Sequence, residues 1–173
     1  MQHLLTFIDR LSRYTESAAV LLVFGYCILM LTEVVARSQG QSLSFTWEFS
    51  QYAMASVFAL ASGPAIRAGV HVRITVLLEI LSPALRKGLD GLANFMAIAI
   101  VSVIVSVMFS KVSVSFERNI LATSVSKTPL WIPQLVVLWG MAQLWLDLLA
   151  RICRQLSGQE HEWRDEDTEP SDV

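Results

Sequence analysis

Four uncharged runs divide the chain: Ser17 to Thr32, Phe49 to Ile66, Gly91 to Ser110 and Thr128 to Leu146. Each is about 16 to 20 residues long, and a helix needs roughly 20 to cover the hydrocarbon of a bilayer, so each needs only its flanking turn to span. Backbone groups in hydrocarbon must bond within their own segment, and the period-two alternation of a β-barrel strand does not occur, which leaves helices. The pattern predicts an all-α membrane protein with four transmembrane helices, at about residues 17–36, 47–67, 89–111 and 129–150.

Between these runs lie weaker signals. Leu4, Phe7, Ile8, Leu11 and Tyr14 recur at helical spacing, with Asp9, Arg10 and Arg13 on other faces, and predict a short amphipathic interfacial helix before the first span. Ile74, Leu77, Leu78 and Leu81 predict a second one between spans two and three. Ser82-Pro83 is a helix start signal, so the third helix is expected to begin about two turns before its membrane core. Gly63-Pro64 removes a backbone donor near the end of the second span and predicts a kink there. The stretch from Arg37 to Thr46 and the polar stretch after Ser110 up to Lys127 are connectors. A cleaved signal peptide is disfavoured, because the first apolar run is longer than a usual signal core and Glu33 sits just after it, where a clean signal region would be uncharged.

Composition agrees: 54% hydrophobic and a mean hydropathy of +0.52 exceed the values of a soluble domain, and 16% charged falls below them. Nine Lys and Arg fall on the side holding both termini and the middle connector, against four on the other, so the termini are expected in the cytosol. Residues 1–156 then form the membrane domain. Residues 157–173, with seven acids, one arginine and few apolar side chains, form a disordered acidic tail. Cys27 and Cys153 make neither a metal pair nor a redox motif.

Candidate chemistry is sparse. No Asp, Glu, Lys, Arg or His lies at the centre of any span, where a protein that moves ions itself keeps such groups. Glu33 and Asp147 stand four residues before Arg37 and Arg151, which predicts an ion pair near each helix end. His3, His71 and His161 all lie outside the spans, so a haem anchor is excluded. Phosphate loops, metal clusters and Ser/His/Asp sets do not occur, and neither an enzyme, a bound cofactor nor a nucleic-acid partner is expected.

One stretch carries a recognisable order. Arg37 follows the first span, Trp47-Glu48 opens the second, and Arg67-x-Gly69-x-His71 with Arg73 closes it; Pro129-x-Trp131 precedes the fourth. In this order and spacing, from about Leu11 to Arg154, the chain resembles the small membrane subunit (DctQ-like) of tripartite ATP-independent periplasmic (TRAP) transporters. It departs from that family at Thr75, where an aspartate is common, and at Leu138, where a proline often stands two residues before the glycine of the fourth span.

The resemblance implies a partner role. In that family a large membrane subunit carries the sodium and substrate sites, a periplasmic binding protein delivers the substrate, and the small subunit braces the large one. It implies an inner-membrane scaffold for sodium-driven uptake of organic acids such as carboxylates or sialic acid. Arg37, Trp47, Glu48, Arg67, Gly69, His71, Arg73 and Trp131 would be its contact or positioning residues. Glu48 is expected to pair with a cation on the large subunit or with Arg37, and Trp47 to anchor at the interface among membrane lipids. Small residues along the second span (Ala53, Ala55, Ser56, Ala59, Ala61, Ser62, Gly63) suit close helix packing. Two other readings stay open: a homo-oligomeric four-helix transporter using Glu33 or Asp147, and an adaptor recruiting a cytosolic partner through its tail.

Overall fold

The computed structural model describes residues 2–67, 83–124 and 126–156. Four helices account for nearly all of them: α1 (Gln2–Ser38), α2 (Thr46–Arg67), α3 (Pro83–Glu117) and α4 (Trp131–Leu156). Three contain a stretch long and apolar enough to cross a membrane: Ile8–Ser38 in α1, Gly91–Glu117 in α3 and Trp131–Cys153 in α4. The exception, α2, is diluted by Ser, Gln, Glu and Gly, yet its 22 residues make a rod of roughly 33 Å at 1.5 Å per residue.

The N-terminal amphipathic segment corrects an expectation. From Gln2 it is continuous with the first apolar run in one 37-residue helix, not a separate interfacial helix. No Gly or Pro interrupts the chain before Gly25, and Thr15 and Ser17 donate their hydroxyls to the Leu11 and Arg13 carbonyls one turn back. Ile8, Ser12, Thr15 and Ala19 are buried at helical spacing. Of the apolar face expected to lie on the membrane, Ile8 is buried against the chain's own helices, Leu11 is half-buried and Tyr14 is exposed. The second amphipathic segment, 74–81, lies outside the described residues; α3 begins at Pro83.

Sharp stops end α1 and α3. After α1 the Gln41 amide reaches the Ala36 carbonyl (3.0 Å) and the Gly40 amide the Arg37 carbonyl (3.0 Å), with Gly40 at φ +79°. Ile120 and Asn119 repeat this at the end of α3 on the Ser115 and Phe116 carbonyls, Asn119 taking φ +47°. Both are Schellman caps, the left-handed position being filled by glycine and then by asparagine. The α3–α4 connector folds back on itself: Ala122 donates to Thr128 (2.9 Å) and Leu130 to Ile120 (3.0 Å), pairing Leu121 with Pro129. Pro129 is thus part of the connector, and the fourth helix opens at Trp131.

The contacts fix the directions. Glu33 meets Thr46 at one end of the α1–α2 pair and Asp9 meets Arg67 at the other, so the two are antiparallel. Ala59 lies under Gly140 and Gly63 beside Leu144 and Asp147, so α2 and α4 run parallel. Phe116 packs edge-on against Trp131 (5.6 Å), and the Trp145 indole donates to Ser102 (2.8 Å), so α3 returns antiparallel to α4. All four helices run between the same two ends, and both ends of the described chain meet at one of them. α4 touches each of the others, α1 joins α2 and α4, and α3 leans mainly on α4.

The tightest crossing is between α2 and α4. Ala59 is fully buried, Ser56 and Gly63 nearly so, and a Cβ at Gly140 would stand 2.5 Å from the Ala59 carbonyl carbon and 2.7 Å from the Leu60 nitrogen. Small residues let two backbones approach, and in lipid such packing replaces the missing hydrophobic drive between helices. Beside it Val101, Leu144 and Leu148 form the core, with Ile66, Ala97, Ile98, Val105, Met141 and Trp145 packed around. Gly140→Ala must push backbone against backbone and should destabilise the bundle by about 1–3 kcal/mol. Gly25→Ala, with open space around its Cβ position, should instead match or exceed the wild type. Reversible unfolding in detergent measures both; equal effects at the two glycines would contradict the crossing.

Candidate functional site

Polar side chains gather at the two ends of the bundle. At the connector end, Glu33 in the last turns of α1 is 8% exposed as a residue. Its Oε1 accepts from Arg37 Nη2 (2.9 Å) and Ser42 Oγ (3.3 Å), and its Oε2 from the Leu43 amide (3.1 Å) and Thr46 Oγ1 (3.1 Å). A buried carboxylate is tolerable when donors surround it. Here they come from α1, the α1–α2 connector and the first residue of α2, so Glu33 ties all three together. The expected Glu33–Arg37 pair is present, but it is one strand of a larger clasp.

Glu48 makes a second clasp. Its residue is 7% exposed, and its carboxylate accepts hydrogen bonds from Tyr52 (2.8 Å), one turn on in α2, and from Ser124 and Ser126 in the α3–α4 connector. The expected pairing with Arg37 is not formed, because Arg37 is held by Glu33 and Glu48 turns inward to the serines. Its neighbour Trp47 projects outward at 77% exposure. Trp131 opens α4 half-buried against Phe116. Adjacent residues of the same motif therefore do different work: Glu48 fixes a connector, and Trp47 faces the surroundings.

At the opposite end α1, α2 and α4 meet. Asp147 is 2% exposed and accepts from Ser12 Oγ of α1 (3.2 Å) and from Gln143 Nε2 one turn earlier in α4 (3.2 Å). The ion pair expected between Asp147 and Arg151 is not formed: the carboxylate points into the bundle, over Gly63, where a Cβ would collide with its Oδ2. Arg67 closes α2 by donating to the Asp9 backbone carbonyl (3.2 Å), with its Nη1 3.7 Å from the Asp9 carboxylate. Higher up, the Trp139 indole donates to Thr15 Oγ1 (3.4 Å) and joins α4 to α1 once more. Gly69, His71 and Arg73 lie outside the described residues, so this end is described for Arg67 alone.

The long-range hydrogen bonds of Ser12 to Asp147 and of Ser124 and Ser126 to Glu48 were not visible in the primary structure. For Asp147 the helical partner that counts is Gln143 behind it rather than Arg151 ahead. Gly140, Gln143 and Asp147 follow each other at spacings of three and four, a small and polar stripe on one face of an otherwise apolar helix, and that stripe was the available signal. Ser12 and the serines at 124 and 126 carried none, since nothing local says which carboxylate a distant hydroxyl will meet. Among the described residues no group of three or more His, Cys, Asp or Glu stands together as a metal site would.

Long apolar helices, connected in antiparallel succession and clamped by polar groups at their ends, define a multi-pass membrane protein. The family follows from comparison: residues 26–158 match the family model described as "Tripartite ATP-independent periplasmic transporters, DctQ component", and the chain belongs to that family. It is therefore a transporter component that works with the other components of a tripartite system. No curated protein and no solved structure matches the chain. The matched region begins within α1 and takes in both carboxylate clasps, the Gly140 crossing and Asp147; the first turns of α1, with Asp9 and Ser12, precede it.

If Glu33 holds the connector, Glu33→Ala should speed hydrogen exchange at the Leu43 amide about tenfold to a hundredfold, the size of one lost charge-assisted hydrogen bond. Glu33→Gln, which keeps an acceptor oxygen, should fall between. Unchanged protection at Leu43 in Glu33→Ala would show that the clasp does not order the connector.

Proposed function

We propose that this chain is the small scaffold subunit of a sodium-driven, binding-protein-dependent importer of organic acids, bracing a large transport subunit in a bacterial inner membrane. The carrying observation is how its charges are used. The charged side chains inside the helix assembly (Glu33, Glu48, Asp147, and Asp9 with Arg67) are engaged within the chain near the ends of the bundle. A subunit that moved ions would keep an acid for that task. Meanwhile broad apolar surface stays open, including Leu21, Phe24, Ile28 and Leu31 on α1 and Phe95, Ile100, Val103 and Phe109 on α3. In lipid such surface serves for packing against other helices.

Further support comes from the description of the family. Transport that is ATP-independent must draw on a gradient, and a periplasmic component implies a binding protein that brings the substrate. In this reading all four helices of the membrane domain, 1–156, cross the bilayer, and the end carrying Arg10, Arg13, Arg67 and Arg151 faces the cytosol. Trp47, Trp131 and Arg37 sit at the periplasmic interface. Gly69, His71 and Arg73 follow Arg67 on the cytosolic side, and the tail, 157–173, is dispensable for assembly. The homo-oligomeric alternative loses ground because Glu33 and Asp147 are both consumed by structural hydrogen bonds.

Affinity purification of the tagged chain from native membranes in mild detergent tests this. A stoichiometric, much larger polytopic protein should come with it, and Glu48→Ala should lower the yield of that complex several-fold by freeing the α3–α4 connector. Removing residues 157–173 should leave the yield unchanged. A chain recovered only with copies of itself, or a Glu48→Ala complex of normal yield and uptake, would contradict the proposal.

A further inference from the structure

A groove of about 300 Å³ runs along the seam between α1 and α2. Ala19, Val20 and Phe24 of α1 and Val57 and Ala61 of α2 line it, and Glu16 is the one charged residue in its lining. Ala19 is buried, while Val20 and Phe24 stand half or more exposed, so a floor of small residues lies beside a bulky wall open to the surroundings. From Glu16 to Phe24 the groove follows α1 for roughly 12 Å, at 1.5 Å per residue. That length takes side chains from two successive turns of a neighbouring helix.

The acid decides what can lie there. Asp9, Glu16, Glu33, Glu48 and Asp147 are the acids of α1, α2 and α4. Arg67 engages Asp9, Arg37 and the first connector engage Glu33, Tyr52 and two serines engage Glu48, and Ser12 and Gln143 engage Asp147. Glu16 is exposed, and among the described residues its carboxylate has neither an ion pair nor a hydrogen bond. It follows Asp9 by two helical turns, roughly 10 Å farther from that end of the bundle, and lies inside the apolar stretch Ile8–Ser38. An ionised carboxylate at such a level is costly unless a cation or several donors meet it. Lipid offers it neither: phosphates are like charges, ester carbonyls only accept, and headgroup amines lie beyond the phosphates on the water side. Arg10 and Arg13 stand nearer the end, where phosphate and water reach them, and neither lines the groove.

We propose that the α1–α2 groove seats a transmembrane helix of the larger membrane subunit, with a Lys or Arg of that helix on Glu16 and its next two turns, apolar, between Phe24 and Val57. The inference rests on the scaffold reading and names the face and the contact that the reading leaves open. A helix, unlike a lipid, can carry a cation at the depth of Glu16, and in a low-dielectric setting a charge-assisted hydrogen bond between them fixes both partner and register. A second copy of this chain fits less well. A two-fold pair uses the same patch on both molecules, which would set groove against groove and Glu16 against Glu16.

The test places a benzophenone amino acid at Val20 of the full chain, an exposed position that tolerates it, and illuminates native membranes before purification. The probe should join the chain to a much larger polytopic protein, and peptide mapping should put the attachment on an apolar helix within two turns of a Lys or Arg. Glu16→Lys should lower that crosslink about tenfold, the size of one charge-assisted hydrogen bond, while Glu16→Asp should keep most of it. A larger protein that co-purifies without any crosslink from Val20 would overturn the seat and leave the scaffold reading standing. Crosslinks to lipid alone, or to a second copy of the chain, would overturn it too, as would a Glu16→Lys crosslink of full yield. If no larger protein is recovered at all, the scaffold reading fails and the seat falls with it.

Discussion

Everything else in the bundle depends on how closely α2 and α4 approach. At Ala59 and Gly140 there is no room for one more carbon, and the contact is backbone against backbone. That closeness explains why α2 can be a poor membrane helix by composition and still sit among three good ones. Its small and weakly polar residues, Ser56, Ala59 and Gly63, are spent on α4 rather than on lipid. It also sets the register, because Gly63 one turn on leaves the space that the Asp147 carboxylate occupies, and Asp147 in turn receives Ser12 from α1.

Polar clamps at the two ends complete the arrangement. Glu33 and Glu48 each bind one connector to a helix start, while Asp147 and the Asp9–Arg67 pair bind the other end of α1 to α4 and α2. The middle contains no ionised group, so the desolvation of charge is confined to levels where headgroups or water can share it. This division suits the scaffold role proposed above. Stiffness comes from buried carboxylates with several donors each, and the apolar outer faces remain available for a larger neighbour.

Helix number and end signals were readable from the sequence because they are local: uncharged runs, Pro83 and the basic residues clustered near the turns. The amphipathic start of α1 shows by its periodicity that a face is apolar without showing what covers it; here Ile8 is covered by the protein, while Tyr14 of the same face stays exposed. Trp47-Glu48 marked the right place, but pointed outward at Trp47 and inward at Glu48, a difference set by the distant serines 124 and 126. Asp147 is engaged by Gln143 and Ser12 rather than by Arg151, the partner its spacing predicts, because the polar stripe of its own helix faces into the bundle. Long-range hydroxyl partners leave no trace in spacing.

The central claim is that α2 crosses the membrane with the other three helices, which puts the α1–α2 and α3–α4 connectors on one side. Single cysteines at Gln41 and Ser126, placed after replacing Cys27 and Cys153 by serine, test it directly by labelling with a membrane-impermeant thiol reagent in right-side-out and inverted vesicles. Both positions should label from the same, periplasmic face. Labelling from opposite faces would mean that α2 stays on one side of the bilayer, and the parallel α2–α4 pair, with all that is built on it, would be wrong.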